Sequence, residues 1–266
     1  MKRTSSNDRE SVLLVDVGNT SVVLGLHERG TVVAHWRVAV ELIDSHAQLV
    51  DLIRSQVAET GRKPDTLDGA ALVSVVPALT SVVAAALTQV TGAPAVVADH
   101  RSKLNVSIAY PEPSQVGPDR LMNAVAARVR CPDGAAVVVD VGTAITFDVV
   151  DGSGSFRGGL ITPGPNIAGD ALAQRTARLP KVDLRRPGRV IATDTRGAIQ
   201  SGLYWGFRAL VEGVLDRIAE ELGENPRVFA TGGLAESLAG SWADEVDPWL
   251  TISGLRHIWA LNRSVP

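Results

Sequence analysis

A short segment that occurs twice constrains the fold of this chain more than any other sequence feature. Residues 11–20 read SVLLVDVGNT and residues 136–144 read AVVVDVGTA, so that Asp16 and Asp140 lie 124 residues apart in a chain of 266. Each copy is a continuous Val/Leu run, typical of a strand buried on both faces, and ends in Asp-Val-Gly. The apolar pattern resumes after each turn, so both copies predict a β-hairpin. We therefore expect two similar halves.

Segments with helical periodicity separate the predicted strands. The length alone favours about two domains, and the repeat places them at 11–130 and 135–266. The alternation of strands and helices indicates an α/β fold. Helices are predicted at 47–58, 79–90, 119–129 and 194–222, strands at 71–76 and 227–230, and loops at 158–169 and 181–189.

The two Asp-Val-Gly turns have residue types that suit phosphate binding. Glycine lets backbone N–H groups approach a phosphate, a hydroxyl side chain adds a donor, and a carboxylate can hold a cation that bridges phosphates. A single Asp-x-Gly sequence is most simply a hairpin turn. The duplication favours the functional interpretation, in which the two loops face each other across a nucleotide cleft.

Asp119 and Arg120 follow Gly117 and Pro118 at the predicted start of a helix. An acidic residue there is favoured by the helix dipole and can act as a cap. Alternatively, the carboxylate of Asp119 is a general base that accepts a proton from an attacking hydroxyl group. Arg120 would bind an anionic group of a substrate or pair with a neighbouring side chain. The sequence leaves both pairs of alternatives open.

The second half of the chain has glycines at two further positions of interest, a turn and a long helix. The turn 231–233, which follows a predicted strand, resembles one that lets an adenosine lie against the backbone. Gly202 and Gly206 lie one turn apart on the long predicted helix. Glycine weakens a helix, so we expect the close approach of another backbone there, from a symmetry-related copy of the chain or from within the same half.

Composition and charge exclude several classes of protein. The formal net charge of −3 gives no electrostatic reason to expect a nucleic acid or an anionic membrane as partner. The five histidines show no metal-ligand spacing, and no local base motif supports a nucleophilic triad. Cys131, the single cysteine, points to a reducing compartment. Residues 1–10 are polar and lack the apolar core of a signal peptide, so we expect a short frayed start and a cytoplasmic protein.

In this order and spacing, the motifs resemble those of the type III pantothenate kinases, which belong to the actin, Hsp70 and sugar-kinase superfamily. The match runs from about Leu13 to Leu261. The resemblance implies two duplicated ribonuclease-H-like lobes around a nucleotide cleft. The segments that carry it are Asp16-Val17-Gly18-Asn19-Thr20, Trp36-Arg37, Ser74-Val75-Val76-Pro77, Tyr110, Gly117-Pro118-Asp119-Arg120, Asp140-Val141-Gly142-Thr143-Ala144, Gly158-Gly159-Leu160-Ile161-Thr162-Pro163-Gly164, Leu179-Pro180, Thr195, Gln200-Ser201-Gly202 and Thr231-Gly232-Gly233.

The resemblance also implies an activity and a set of site residues. The activity is transfer of the γ-phosphoryl group of ATP to pantothenate, giving 4′-phosphopantothenate, the first step towards coenzyme A. Asp119 would be the proton acceptor, Asp16 would contact Mg²⁺, and Asp140 would help to hold K⁺ or NH₄⁺. A homodimer would form through the glycine-bearing helix. The implied ATP-binding residues are Asp16, Val17, Gly18, Asn19, Thr20, Ser21, Val22, Val23 and Thr143, and the implied pantothenate-binding residues are Tyr110, Gly117, Pro118, Asp119, Arg120 and Thr195.

The chain departs from the commonest family pattern without losing an implied catalytic group. Pro118 replaces a usual Ala, Val141 a Phe and Ile145 a Thr, while Val23 stands where a Lys often follows the first loop. Two alternatives remain at this stage. One is another small-molecule kinase of the superfamily, and the other is a catalytically silent regulatory relative. The four residues Asp16, Asp119, Asp140 and Thr143 argue against the second.

Overall fold

The computed structural model describes residues 10–43 and 45–263. The polar segment 1–9, for which the sequence predicts a frayed start, lies outside the described residues. Within the described part, no helix combines the length and the hydropathy that a membrane span requires.

Eleven strands are present in the described residues, and both predicted hairpins are confirmed as β1–β2 and β7–β8. The strands are β1 (Ser11–Val17), β2 (Ser21–Glu28), β3 (Thr31–Ala39), β4 (Gly69–Ser74), β5 (Val96–Ala98), β6 (Ser107–Ile108), β7 (Ala136–Val141), β8 (Ala144–Val150), β9 (Ser155–Pro163), β10 (Arg227–Thr231) and β11 (Glu245–Val246).

Seven α-helices accompany them in the described residues, and all four predicted helices are confirmed. The helices are α1 (His46–Glu59), α2 (Pro77–Thr91), α3 (Pro118–Arg130), α4 (Pro165–Arg175), α5 (Thr195–Leu222), α6 (Ala235–Leu238) and α7 (Leu250–Asn262). Their ends follow local chemistry. Proline opens α2, α3 and α4, where the missing N–H is tolerated, and the side chains of Ser45 and Asp194 cap α1 and α5.

The two sheets repeat one strand order, which confirms the duplicated α/β fold. The first has the order β3-β2-β1-β4-β5, and the second has the order β9-β8-β7-β10-β11 with β6 added beside β9. In each sheet, the first three strands of this order are antiparallel neighbours. The fourth strand, β4 or β10, lies parallel to its neighbour β1 or β7. Asp16 lies opposite Val73, and Asp140 lies opposite Thr231, so the two aspartates hold equivalent places in the sheets.

The chain divides into two compact units. Among the described residues, the first unit comprises 10–43, 45–105, 111–126 and 249–263, and the second comprises 106–110 and 127–248. These units differ from the contiguous ranges 11–130 and 135–266 expected from the sequence. Helix α7 belongs to the first unit because it packs on β1, β4 and β5. The segment 106–110 belongs to the second because β6 pairs with β9.

Each unit has its own apolar core. In the first, buried Val and Leu side chains of β1, β2 and β4 pack against α1 and α2. In the second, side chains of β7, β8 and β10 pack against α5 and α6. The continuous apolar runs of β1 and β7 are almost fully buried, as the sequence predicts for central strands.

One sequence prediction was wrong. Residues 158–169 were expected to form a loop, but they contain most of β9 and the start of α4. Gly158 and Gly159 lie opposite Val149 and Asp148, so pairing with β8 keeps this glycine-rich stretch extended. The predicted loop at 181–189 has no regular secondary structure, as expected.

Candidate active site

The first predicted phosphate loop is the tight turn between β1 and β2. The backbone N–H of Gly18 donates a hydrogen bond of 3.0 Å to the carbonyl oxygen of Ser21, which closes the turn. Asn19 and Thr20 are exposed at its tip. The side chains of Val17 and Val22 are fully buried, so these two residues can contact a nucleotide only through their backbone.

Asp16, at the end of β1, is a carboxyl group in surroundings that oppose its charge. Burial and the nearby carboxylate of Asp119 raise its pKa to about 7, and the guanidinium of Arg37 opposes that rise. Arg37 also donates a hydrogen bond of 2.8 Å to the hydroxyl oxygen of Ser21. The first loop therefore has a cation beside it, and two carboxyl groups lie close enough to interact electrostatically.

Asp119 lies in the first turn of α3, directly after Pro118. Burial raises the pKa of its carboxyl group, although the backbone N–H and the charge of Arg120 oppose this rise. That N–H donates to Asp119 Oδ1 over 2.8 Å. A Cβ atom at position 117 would lie 2.6 Å from the same oxygen, so glycine leaves room for the carboxylate. Arg120 itself is buried, with 7% of its surface exposed.

The second predicted loop joins β7 and β8 and has the same kind of closure. The N–H of Gly142 donates to the carbonyl oxygen of Ala144 over 2.9 Å, and Thr143 is exposed at the tip. The carbonyl oxygen of Thr143 accepts a hydrogen bond from the N–H of Gly164, at the start of α4, over 2.9 Å. The loop is therefore fixed by its own turn and by β9–α4.

The glycine turn 231–233 lies directly against Asp140. Gly232 has φ +93°, and a Cβ atom there would overlap Asp140 Oδ1 and lie 2.7 Å from the backbone of Val141. Only glycine combines this backbone conformation with so close an approach. The structure thus brings the predicted adenosine turn and the second loop together within the second unit.

Tyr110 and Thr195 occupy different places in the second unit. Tyr110 lies against Gly158 and stacks on Phe156 of β9, with ring centroids 6.0 Å apart. Thr195 is exposed at the first position of α5, next to Asp194, whose carboxylate accepts the N–H of Gly197 over 2.9 Å.

The predicted site residues therefore form two groups. The first unit brings together the first loop, Asp16 and the 117–120 segment, and the second unit brings together Asp140, Thr143 and the glycine turn. Sequence reasoning gave no role to Arg37. The sequence signal for it was the Trp36-Arg37 segment of the family resemblance, and in the structure the pairing of β3 with β2 sets Arg37 opposite Val23, close to the first loop.

Comparisons with known proteins decide which family these features belong to. A family model described as "Type III pantothenate kinase" matches residues 12–217. The chain is 42% identical over 258 residues to the type III pantothenate kinase of Acidothermus cellulolyticus, a match that covers 96% of this chain and 99% of the relative.

The chain belongs to the type III pantothenate kinases. It is 39% identical over 265 residues to the family member from Koribacter versatilis, covering 95% of this chain and 96% of that one. A type III pantothenate kinase is an ATP-dependent enzyme that also uses a divalent metal ion, and its substrates are ATP and pantothenate.

Solved structures agree at the level of the fold. A Baf family protein from Campylobacter jejuni matches with a TM-score of 0.55 and 18% identity, over 93% of this chain and 97% of that chain. MreB 5 of Spiroplasma citri matches with a TM-score of 0.50 and 11% identity, over 94% and 96%. Both likenesses concern the fold alone.

Proposed function

We propose that Asp119 is the proton acceptor in the phosphorylation of pantothenate. The observation that carries this role is the Asp119 carboxyl group at the start of α3, partly buried, with a raised pKa and with space left for it by Gly117. A general base works best when its pKa lies near the working pH, and burial moves this carboxyl group in that direction.

Phosphoryl transfer needs a proton acceptor for the attacking hydroxyl group of pantothenate. The terminal hydroxyl oxygen of pantothenate forms a bond to the γ-phosphorus while the bond from that phosphorus to the bridging oxygen breaks, and ADP leaves with the electron pair. The hydroxyl proton passes to a carboxylate oxygen of Asp119. Most of the remaining catalysis is positioning and charge neutralisation, as in other phosphoryl transfers.

The first loop, from Asp16 to Val23, is proposed to contact ATP, with Asp16 close to Mg²⁺. Among the described residues, no three His, Cys, Asp or Glu side chains are grouped so as to hold a metal ion. Mg²⁺ fits this arrangement because it commonly takes one or two carboxylates together with substrate phosphates and water. A cation beside Asp16 would offset the burial that raises its pKa. When bound, Mg²⁺ supplies neutralisation of phosphate charge.

The second loop is proposed to hold a monovalent cation and the ATP phosphates. The carboxylate of Asp140 would help to bind K⁺ or NH₄⁺, and the hydroxyl group of Thr143 would donate to a phosphate oxygen. The exposed position of Thr143 and the contact between Asp140 and Gly232 support these roles. The glycine turn would then receive the adenosine.

Pantothenate is an anion with hydroxyl and amide groups. We assign its binding to Tyr110, Gly117, Pro118, Arg120 and Thr195, in addition to Asp119. Arg120 carries the charge that suits the carboxylate of pantothenate. The threonine hydroxyl is exposed at the start of α5, where helix N–H groups favour anions.

We further propose a homodimer that forms through α5 and works in the cytoplasm. A Cβ atom at Gly202 or Gly206 would meet no described atom within 4 Å, so packing within the same chain does not explain these glycines. Both are exposed on one face of the helix. The free thiol of Cys131 fits a reducing compartment.

ATP consumption with and without pantothenate, measured in K⁺ and in Na⁺ buffers with Mg²⁺ present, tests this assignment. We expect turnover that depends on pantothenate and is faster in K⁺. Equal rates in the two buffers would contradict the proposed preference for K⁺ at Asp140. Absence of pantothenate-dependent turnover in K⁺ would refute the proposed function.

A further inference from the structure

Helix α7, close to the end of the chain, lies directly against α3, the helix that carries Asp119. A Cβ atom at Gly254 of α7 would overlap the carbonyl oxygen of Met122 in α3. Met122 is fully buried. The two helix backbones are therefore in contact, and both belong to the first unit.

One side-chain hydrogen bond joins these helices close to the proposed base. The hydroxyl group of Thr251, in the first turn of α7, donates to Asn123 Oδ1 over 2.8 Å. Asn123 is buried, with 1% of its surface exposed. It follows Asp119 by four residues, so the two side chains lie on the same face of α3, one turn apart.

The same helix is fixed to β1, the strand that carries Asp16. Arg256 of α7 and Arg263, which directly follows this helix, form ion pairs of 2.8 and 2.5 Å with Glu10. Glu10 immediately precedes β1 and is 8% exposed. Ile252 packs against β2, where a Cβ atom at Gly25 would lie 3.2 Å from it. Helix α7 thus contacts the elements that carry both interacting carboxyl groups, Asp16 and Asp119.

We propose that Thr251 and Asn123 are positioning residues, whose hydrogen bond fixes the first turns of α3 and so the place of the Asp119 carboxylate. This inference rests on the proposed role of Asp119. A contact that only stabilised the fold would change the melting temperature and leave the rate constant of the folded enzyme unchanged. A positioning contact changes kcat, because small misplacements of a catalytic group lower the rate steeply.

The test compares Thr251→Val, which keeps the side-chain shape and removes the hydroxyl, with Thr251→Ser, which retains it. At a temperature well below both melting transitions, we expect Thr251→Val to lower kcat about 10-fold, with KM for ATP and for pantothenate changed by less than about twofold. Thr251→Ser should restore most of kcat.

Asn262→Ala is the matched control on the same helix. Asn262 lies at the other end of α7, accepts the N–H of Lys103 over 2.8 Å and donates to its carbonyl oxygen over 3.0 Å. Asn262→Ala removes more side-chain hydrogen bonds than Thr251→Val does. We expect an equal or larger fall in melting temperature and an unchanged kcat.

The outcomes separate this inference from the proposed function. If Asp119→Asn loses activity while Thr251→Val keeps wild-type kcat, or if Asn262→Ala lowers kcat as much as Thr251→Val, the positioning role is wrong and the base assignment stands. If Asp119→Asn retains wild-type kcat, the base assignment is wrong, and the positioning role fails with it.

Discussion

At the scale of single residues, Asp16 links function to stability. Its pKa is raised to about 7 in the folded protein, chiefly by burial, against 3.8 for an ordinary aspartate. As pH rises, the unfolded chain loses this proton first, so between about pH 4 and pH 7 the folded state binds more protons. The free energy of unfolding therefore falls with rising pH across that window, and the loss is complete above it.

We therefore expect Asp16→Asn to be more stable than the wild type at pH 8, by on the order of 2–4 kcal/mol, without nucleotide or divalent metal ion. The difference should shrink as the pH approaches 4. Urea unfolding at pH 4, 6 and 8 measures it.

Glu28→Gln is the matched control for this experiment, because its wild-type carboxylate has the opposite shift. A hydrogen bond from Arg62 is the main cause that holds the pKa of Glu28 below its usual range. This group contributes stability that is present above its unfolded pKa and is lost as pH falls, so Glu28→Gln should be less stable than the wild type at pH 8. A stability difference for Asp16→Asn that did not change with pH would contradict the assignment.

The sequence allowed prediction of those site residues that lie in a recognisable local motif. Asp16 and Asp140 were visible because the repeat aligns them, and Asp119 because it opens a helix after Gly-Pro. Asn123 and Thr251 were not visible, since 128 residues separate them and only the packing of α7 on α3 brings them together.

At the scale of elements, Gly254 marks a point where the backbones of α7 and α3 are in direct contact within the first unit. A methyl group there would overlap the backbone of Met122, which is fully buried. The overlapping atoms belong to the backbone of α3, so they cannot move aside as the end of a flexible side chain could. We expect Gly254→Ala to destabilise the protein by about 1–3 kcal/mol, as overpacking does. Chemical denaturation would measure the loss.

Gly213→Ala in α5 is the matched control. A Cβ atom there would meet only the end of Arg217, at the ordinary contact distance of 3.5 Å. Alanine favours a helix over glycine by up to about 1 kcal/mol, so this variant should be as stable as the wild type or more so. Equal destabilisation of the two variants would show that the approach of α7 to α3 is not tight.

Hydrophobic periodicity predicted most strands and helices, and it failed where pairing with a neighbouring strand determines the conformation. The apolar runs gave the central strands, and the helical spacing gave α1, α2, α3 and α5. The stretch 158–169 has loop composition, yet β8 holds its first part as a strand. Nor could any local pattern place α7 in the first unit, because this depends on long-range packing against β1 and β4.

At the scale of the whole molecule, the face of α5 that carries Gly202 and Gly206 predicts a dimer. Gly206→Glu would place a charge on this face, and we expect sedimentation velocity to show a shift from twice the chain mass of 28.0 kDa to a single chain. Gly188→Glu, at an exposed loop glycine with no atom within 4 Å of its Cβ position, should remain dimeric. A wild-type monomer at micromolar concentration, or a dimeric Gly206→Glu protein, would contradict the interface.

The duplication of strand order accounts for the sequence repeat and for the equivalent places of Asp16 and Asp140. Family membership follows from the comparisons, whereas the chemistry proposed for each carboxylate follows from the family resemblance and is supported by burial, charge and local geometry. Of these assignments, the role of Asp119 carries the mechanism.

The kcat of Asp119→Asn, measured with saturating ATP and pantothenate, tests that role most directly. We expect a fall of about 10²–10⁴, the scale of general acid–base catalysis, with ATP affinity close to that of the wild type. A variant that binds ATP normally and turns over at nearly the wild-type rate would show that Asp119 does not accept the proton.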